Sequence, residues 1–223
     1  MVVKPQKISS KLVIIAALIL TTVLVSGCSE QGAVVVFDVK HKPIFKQYSV
    51  FREIFRESGV KVVDSGVEDL ERAKAYILAG PAHKVDEKEI VEFVREGGVL
   101  VVFIHIPPSN IKPILDEFGM KAETSPVEEN IVTGVPIKSS VLTDDVERII
   151  LYGAFRVSHP IISEKRGEVR FSESERMGLV GFKKFEKGYV VIVGDDAAFT
   201  DQYIESADNM VFVRNLAEFV LSR

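Results

Sequence analysis

This chain of 223 residues has one cysteine, Cys28, and no tryptophan. A lone thiol excludes an intramolecular disulfide and a thiolate metal cluster. Because Cys28 precedes the first strand-like run, no cysteine nucleophile is left for the folded part. A basic surplus is also lacking: 28 Lys and Arg stand against 32 Asp and Glu, a net charge of −4. Nucleic-acid binding usually needs a basic face, and this balance supplies none. The sequence has no HExxH, P-loop, GxGxxG or GxSxG pattern. Asn and Gln are few while Lys, Glu and Arg are many, a balance that fits a thermophilic source. What is present suits a globular core, with 47% hydrophobic and 27% charged residues. The length allows one domain, or at most one and a fraction.

The N-terminus differs from the rest. Lys4, Lys7 and Lys11 precede an uncharged run from Leu12 to Val25, followed by LVSGCSE. A basic segment, an apolar segment and a small-residue junction form the layout of an export signal. The run is shorter than the roughly 20 residues a helix needs to span a bilayer. VSGC resembles the lipobox of prokaryotic lipoproteins, which implies acylation of Cys28 and an anchor at the extracytoplasmic face of the membrane. The expected organisation is a signal over 1–27, a short tether over 28–32, and one domain over 33–223.

Apolar periodicity organises the remainder. VVVF (Val34 to Phe37) reads as a strand covered on both faces. Ile44, Phe45, Tyr48, Phe51, Ile54 and Phe55 draw one helical stripe over 42–58, stopped by Gly59. VKVV (60–63) is a second strand, 67–73 a weak helical turn, and AYILAGP (75–81) a third strand. Asp86 and Glu89 form a capping box before Ile90, Phe93 and Val94. VLVVFI (99–104) is a central strand, and Ser109 is placed to cap a helix carrying Ile111, Ile114, Leu115 and Phe118. From about 124 to 186 the helical period fades into a β-rich excursion full of turn formers. GLVGFKKF and YVVIVGDD then flank Glu186-Lys187-Gly188 as an antiparallel hairpin, and a final helix follows. The alternation predicts an α/β fold with a mostly parallel sheet.

Three stretches carry a resemblance: the Asp38 to His41 segment, YILAGPAHKVDEKEIVEFVREGGVLVVF, and GYVVIVGDDAAFTDQYIESADNMVFVRNLAEFVL. Together they resemble the glutamine-amidotransferase-like domains of archaeal and bacterial surface proteins of unknown function. Related domains occur in auxiliary components of gliding-motility transporters and in an intraflagellar-transport subunit. The resemblance implies a flavodoxin-like three-layer sandwich, class I glutamine-amidotransferase-like, with the antiparallel hairpin appended. Class I amidotransferases place a nucleophilic cysteine after the strand that is here Val99 to Ile104. This chain has His105-Ile106-Pro107-Pro108 there, so amidotransfer is not expected, and the fold alone licenses no activity.

In parallel α/β sheets, ligands bind beyond the carboxyl ends of the strands. The residues at those ends are Asp38 and His41, His83, His105, and Asp195 with Asp196, and they form the candidate ligand site. Carboxylates after strands also commonly accept backbone N–H bonds, and loop histidines often serve structure. A metal-dependent hydrolase using Asp38, His41, His105 and Asp195 is the alternative, since His and Asp together can hold a divalent metal beside an open position. Asp208, next to Asn209, is placed to cap the last helix, Thr200 and Asp201 to cap the segment before it, and Phe199 and Tyr203 to join the core. No cofactor is implied. The expected partners are the membrane, through lipid on Cys28, and a membrane protein complex, with no nucleic acid. An ABC-type solute receptor is disfavoured because the domain provides one lobe rather than two.

Overall fold

The computed structural model describes residues 32–164, 170–172 and 175–223. The predicted signal, Cys28 and all of the tether but Gly32 lie outside the described residues.

The chain opens with β1 (Val34–Asp38), α1 (Ser49–Glu57), β2 (Lys61–Ser65), a 3-10 turn at Val67–Arg72, β3 (Ala73–Ala79), α2 (Lys88–Glu96), β4 (Val99–Phe103) and α3 (Lys112–Glu117). Eight strands follow with no α-helix between them among the described residues: β5 (Ala122–Pro126), β6 (Ile131–Pro136), β7 (Ile149–Tyr152), β8 (Phe155–Ser158), β9 (Pro160–Glu164), β10 (Arg170–Ser172), β11 (Glu175–Gly178) and β12 (Val180–Phe185). Then come β13 (Gly188–Val193), a 3-10 turn at Ala197–Phe199, and α4 (Asn209–Leu221).

A nine-stranded sheet has the order β2-β1-β3-β4-β13-β12-β9-β6-β7, and a separate sheet has the order β10-β11-β8-β5. The strands from β2 to β13 are parallel neighbours. Every pairing from β13 outward is antiparallel, as is every pairing in the smaller sheet. Over both sheets four pairings are parallel and seven antiparallel. This corrects the expected mostly parallel, flavodoxin-like sandwich: the sheet is mixed, antiparallel pairing predominates, and helices are few. The cause lies in the 122–185 stretch. A parallel neighbour needs a crossover of roughly a dozen residues or more, whereas antiparallel strands join through short turns. Turn-rich segments with no helical period can only build the second kind.

Burial explains why the parallel strands read as unbroken apolar runs. One face packs Val35, Phe37, Ile77, Val101, Phe103 and Val191 against Phe51 and Phe55 of α1 and Phe212 and Leu216 of α4. The other packs Val36, Tyr76, Leu78, Leu100, Val102 and Ile192 against Ile90 and Val94 of α2 and Ile114 and Leu115 of α3. Strands covered on both faces need no polar alternation.

Local signals were less reliable. The predicted helix from Lys42 starts instead at Ser49. Lys42 precedes a proline, which disfavours helical backbone, and it adopts φ +51°. Pro43 bridges Pro81, and the Ile44 N–H donates to the Gly80 carbonyl at 3.0 Å. The Asp86 and Glu89 box is absent: Glu87 occupies the N-cap position without a side-chain cap, and Asp86 pairs with Lys84 at 2.6 Å. Ser109 lies inside a short 3-10 turn and caps no helix. The Glu186-Lys187 turn does form, joining β12 to β13 with Phe185 opposite Gly188. None of the described helices is long and apolar enough to cross a membrane.

The edge of the large sheet is closed by side chains. Asn209, fully buried at the start of α4, accepts the Ile150 N–H at 2.9 Å and donates to the Ile150 carbonyl at 3.0 Å. Its amide also donates to Ala198 O at 3.1 Å. One side chain thus pairs with an edge strand as a neighbouring strand would. Asn209→Ala strands these buried groups and is expected to cost about 2–4 kcal/mol, measured by urea denaturation. A loss under about 0.5 kcal/mol would show that the edge does not depend on it.

Candidate functional site

The carboxyl ends of β1, β3, β4 and β13 gather the predicted residues at one pole, but in three separate arrangements. In the first, Asp38 ends β1 on the face it shares with Tyr76 of β3. The Tyr76 hydroxyl donates to Asp38 Oδ1 at 2.6 Å, and the His41 backbone N–H donates to Oδ2 at 3.0 Å. His41 Nδ1 lies 3.1 Å from that same Oδ2 without making a hydrogen bond to it. On the other side of the ring, Nε2 meets Glu87 Oε1 at 2.6 Å. His41 is only 5% exposed. Burial works to lower its pKa, but the Asp38 and Glu87 carboxylates outweigh it and the net shift is upward. Burial, then the Asp38 carboxylate, pushes the Tyr76 phenol well up. The sequence drew attention to Asp38 and His41 only. Glu87 has no local signature, and Tyr76 shows itself only as a hydroxyl inside the otherwise aliphatic run from Ala75 to Ala79.

In the second arrangement, His105 Nδ1 sits 3.0 Å from Asp196 Oδ1, with His105 partly exposed and Asp196 buried. The Phe45 ring meets the imidazole edge-on at 5.6 Å between centroids. Tyr48, from the turn before α1, donates its hydroxyl to the Asp196 carbonyl at 2.9 Å and holds that backbone in place. Asp196 Oδ2 is buried without a hydrogen-bond partner, pressed against Gly80. A Cβ on Gly80 would stand 2.0 Å from it, and Gly80 also adopts φ +55°, so this close approach requires glycine. The hydrogen bond to Asp196 raises the His105 pKa, while burial raises that of Asp196 against the pull of His105.

Asp195 belongs to neither group. Its carboxylate accepts the N–H groups of Tyr152 at 2.7 Å, Ala197 at 2.8 Å and Ala198 at 3.1 Å. It therefore clamps the edge strand β7 and the 3-10 turn to the end of β13. Burial pushes its pKa up to about 7 despite those three donors. His83 is exposed on the loop after β3, where its backbone N–H donates to the His41 carbonyl at 3.2 Å.

The four residues of the hydrolase alternative are thus divided. Asp38 and His41 face each other, His105 faces Asp196 rather than Asp195, and Asp195 serves backbone. Among the described residues, no group of three or more His, Cys, Asp or Glu is arranged to hold a metal ion. The predicted caps are also reassigned. Asp208 stands at the N-cap of α4 but accepts the backbone N–H groups of Glu147 and Arg148, each at 2.9 Å. Asp201 takes the Val50 N–H at 2.9 Å and the Ser49 hydroxyl, capping the distant α1. Thr200 donates to Ala197 O at 2.7 Å. Phe199 is core, and Tyr203 stacks on Tyr152 at 4.0 Å.

Residues 42–217 match a family described as a domain of unknown function, DUF4350. The chain belongs to that family. The match begins just after His41, so it holds His105, Asp195 and Asp196 but omits Asp38. No curated protein matches the sequence. Among solved structures, the mmIFT52 N-terminal domain aligns with TM-score 0.66 at 17% identity, covering 84% of this chain and 97% of that one. Cytoplasmic protein STM1381 from Salmonella typhimurium LT2 aligns with TM-score 0.58 at 14% identity, covering 84% and 99%. A β-galactosidase from Bacillus circulans sp. alkalophilus aligns with TM-score 0.52 at 12% identity, covering 85% of this chain but 31% of the enzyme. At these identities the likeness is one of fold alone.

Two measurements test the geometry. Asp195→Asn puts an amide where three N–H groups converge, and chemical denaturation is expected to show a loss of about 2–4 kcal/mol. A neutral substitution would refute the clamp. For His41, a folded pKa above the ordinary 6.5 means that its contribution is complete below that pH and is lost as pH rises through the folded value. The stability gap between the parent and His41→Gln should therefore be widest on the acid side of 6.5 and narrow above it. A gap independent of pH would contradict the doubly carboxylate-held imidazole.

Proposed function

We propose that this DUF4350 chain is a non-enzymatic binding or scaffold module, held by lipid on Cys28 at the extracytoplasmic face of the membrane and accessory to a membrane protein complex. The observation that carries the reading is the fate of the strand-end carboxylates. Asp38 is taken up by Tyr76 and the His41 backbone, and Asp195 by three backbone N–H groups. A metal ligand or nucleophile needs a free lone pair aimed at open space, and these carboxylates aim theirs at their own fold. What the same loops turn outward is Ile44, Ile106 and lysine side chains, which suit adhesion rather than bond-breaking.

Kinship with the glutamine-amidotransferase-like domains is part of this proposal and brings no amidotransfer with it. The residue after β4 is His105, bonded to Asp196, and the one cysteine of the chain lies far upstream. The anchor rests on the basic, apolar and small-residue layout that ends in VSGC.

One preparation of the full chain tests both halves. Mass spectrometry is expected to find an acyl mass on Cys28, and Cys28→Ser to move the protein from the membrane fraction to the aqueous one. A parent without the acyl mass refutes the anchor. Elemental analysis is expected to find no stoichiometric divalent metal. One equivalent of metal that disappears in His105→Gln would instead favour the hydrolase.

A further inference from the structure

We propose that the loops closing the carboxyl ends of β1, β3 and β4 form one cationic and apolar docking surface, whose occupant is an acidic peptide segment of a partner protein. The proposal rests on the binding-module reading and says where that module binds and what it recognises.

The loops are laced into a single surface. The Ala82 N–H donates to the His41 carbonyl at 2.9 Å, and Pro43 bridges Pro81. The Asn110 amide donates to the carbonyls of Pro81 and Ala82 at 3.1 and 3.0 Å, tying in the third loop. Phe45 rests on His105, as described above. Residues 39–48 and 104–111 contain no Asp or Glu, although acidic residues outnumber basic ones in the chain. Lys40, Lys42 and Lys46 all lie on the first loop. The second loop carries Lys84, with Asp86 and Glu87 at its far end; Asp86 is turned to Lys84 and Glu87 to His41. Lys40 reaches Glu68 at 3.3 Å. Lys42 and Lys46 are exposed and have no ion pair among the described residues.

Apolar exposure gathers at the same pole. Ile44 is 44% and Ile106 61% exposed, on the first and third loops. Aliphatic side chains beside uncompensated lysines favour a target that offers both carboxylates and apolar groups. A bilayer fits less well, because polybasic membrane recognition uses about four to eight clustered cations, and only two here are uncompensated. An acidic peptide with apolar side chains meets both features without that difficulty.

The test uses the full chain in detergent and a fluorescein-labelled peptide of alternating Glu and Leu residues, read by fluorescence anisotropy. Saturable binding is expected, weakening as salt is raised. Lys42→Glu with Lys46→Glu is expected to weaken it by roughly tenfold or more, and Ile44→Asp similarly. Ile131→Asp alters an exposed side chain of the antiparallel half and is expected to change nothing. All of these positions are exposed, and circular dichroism verifies that the variants fold. No saturable binding overturns the proposal, as does binding that survives the lysine reversals. Binding to phosphatidylglycerol vesicles but not to the peptide assigns the surface to membrane instead. Self-association abolished by the same reversals assigns it to a second copy. If peptide binding fails while Cys28-dependent membrane retention persists, this surface is wrong and the anchored module stands.

Discussion

Strand β13 pairs parallel to β4 along one edge and antiparallel to β12 along the other, and this double commitment joins the two halves of the large sheet. The strand can serve both because it is buried along nearly its whole length, with Val190 and Ile192 on one face and Val191 and Val193 on the other. Its end is fixed as firmly as its edges. Gly194 gives its carbonyl to the Phe155 N–H at 2.7 Å and accepts no side chain, since a Cβ there would stand 1.9 Å from the Phe155 carbonyl oxygen. Asp195 then reaches the edge strand β7, and Asp196 reaches His105 after β4. Three successive residues therefore register the antiparallel extension against the parallel core.

That arrangement explains why the strand-end carboxylates are engaged by the fold itself. A carboxylate withdrawn from water must be repaid in hydrogen bonds, and each one finds partners in the fold, with only Asp196 Oδ2 among their oxygens buried without one. Asp195 receives backbone N–H groups, Asp38 a tyrosine hydroxyl and a backbone N–H, and Asp196 an imidazole. Asp201 and Asp208 act in the same manner on α1 and on the chain before β7. Most of these bonds join segments far apart in sequence, as Asp195 does to Tyr152 and Asp196 to His105. The polar residues that looked like chemistry are mostly the joints between elements. What the loops present outward is Ile44, Ile106 and lysine side chains.

Much of the parallel half was legible. The runs VVVF, AYILAG and VLVVF announce doubly covered strands, because a strand buried on both faces has no reason to alternate. The hairpin around Glu186-Lys187 was equally plain. The stretch from Ala122 to Phe185 was not, since its strands are short, interrupted by turn formers, and paired with partners remote in sequence, as β5 is with β8 and β6 with β9. Its β composition was visible, but its place in the same sheet was not, and the mostly parallel expectation failed on that point. Helix starts failed for a related reason. Ser49 begins α1 with its cap supplied by Asp201, which local spacing cannot reveal.

The candidate site divides along the same line. Sequence placed Asp38, His41, His105, Asp195 and Asp196 at strand ends correctly, because strand termini follow from apolar runs that stop. Which of them face one another depends on strand order and on the close approach allowed by Gly80, and both are decided by packing between distant segments. By itself, then, the sequence determined the parallel core, the poverty of nucleophiles and the acidic balance, all of which are local or compositional. Only the tertiary structure decided the antiparallel half, the pairing of His41 with Glu87 and of His105 with Asp196, and the gathering of lysines and aliphatics on one pole. Each of these needs residues tens of positions apart to meet, and the energy of such meetings is not written in any one segment.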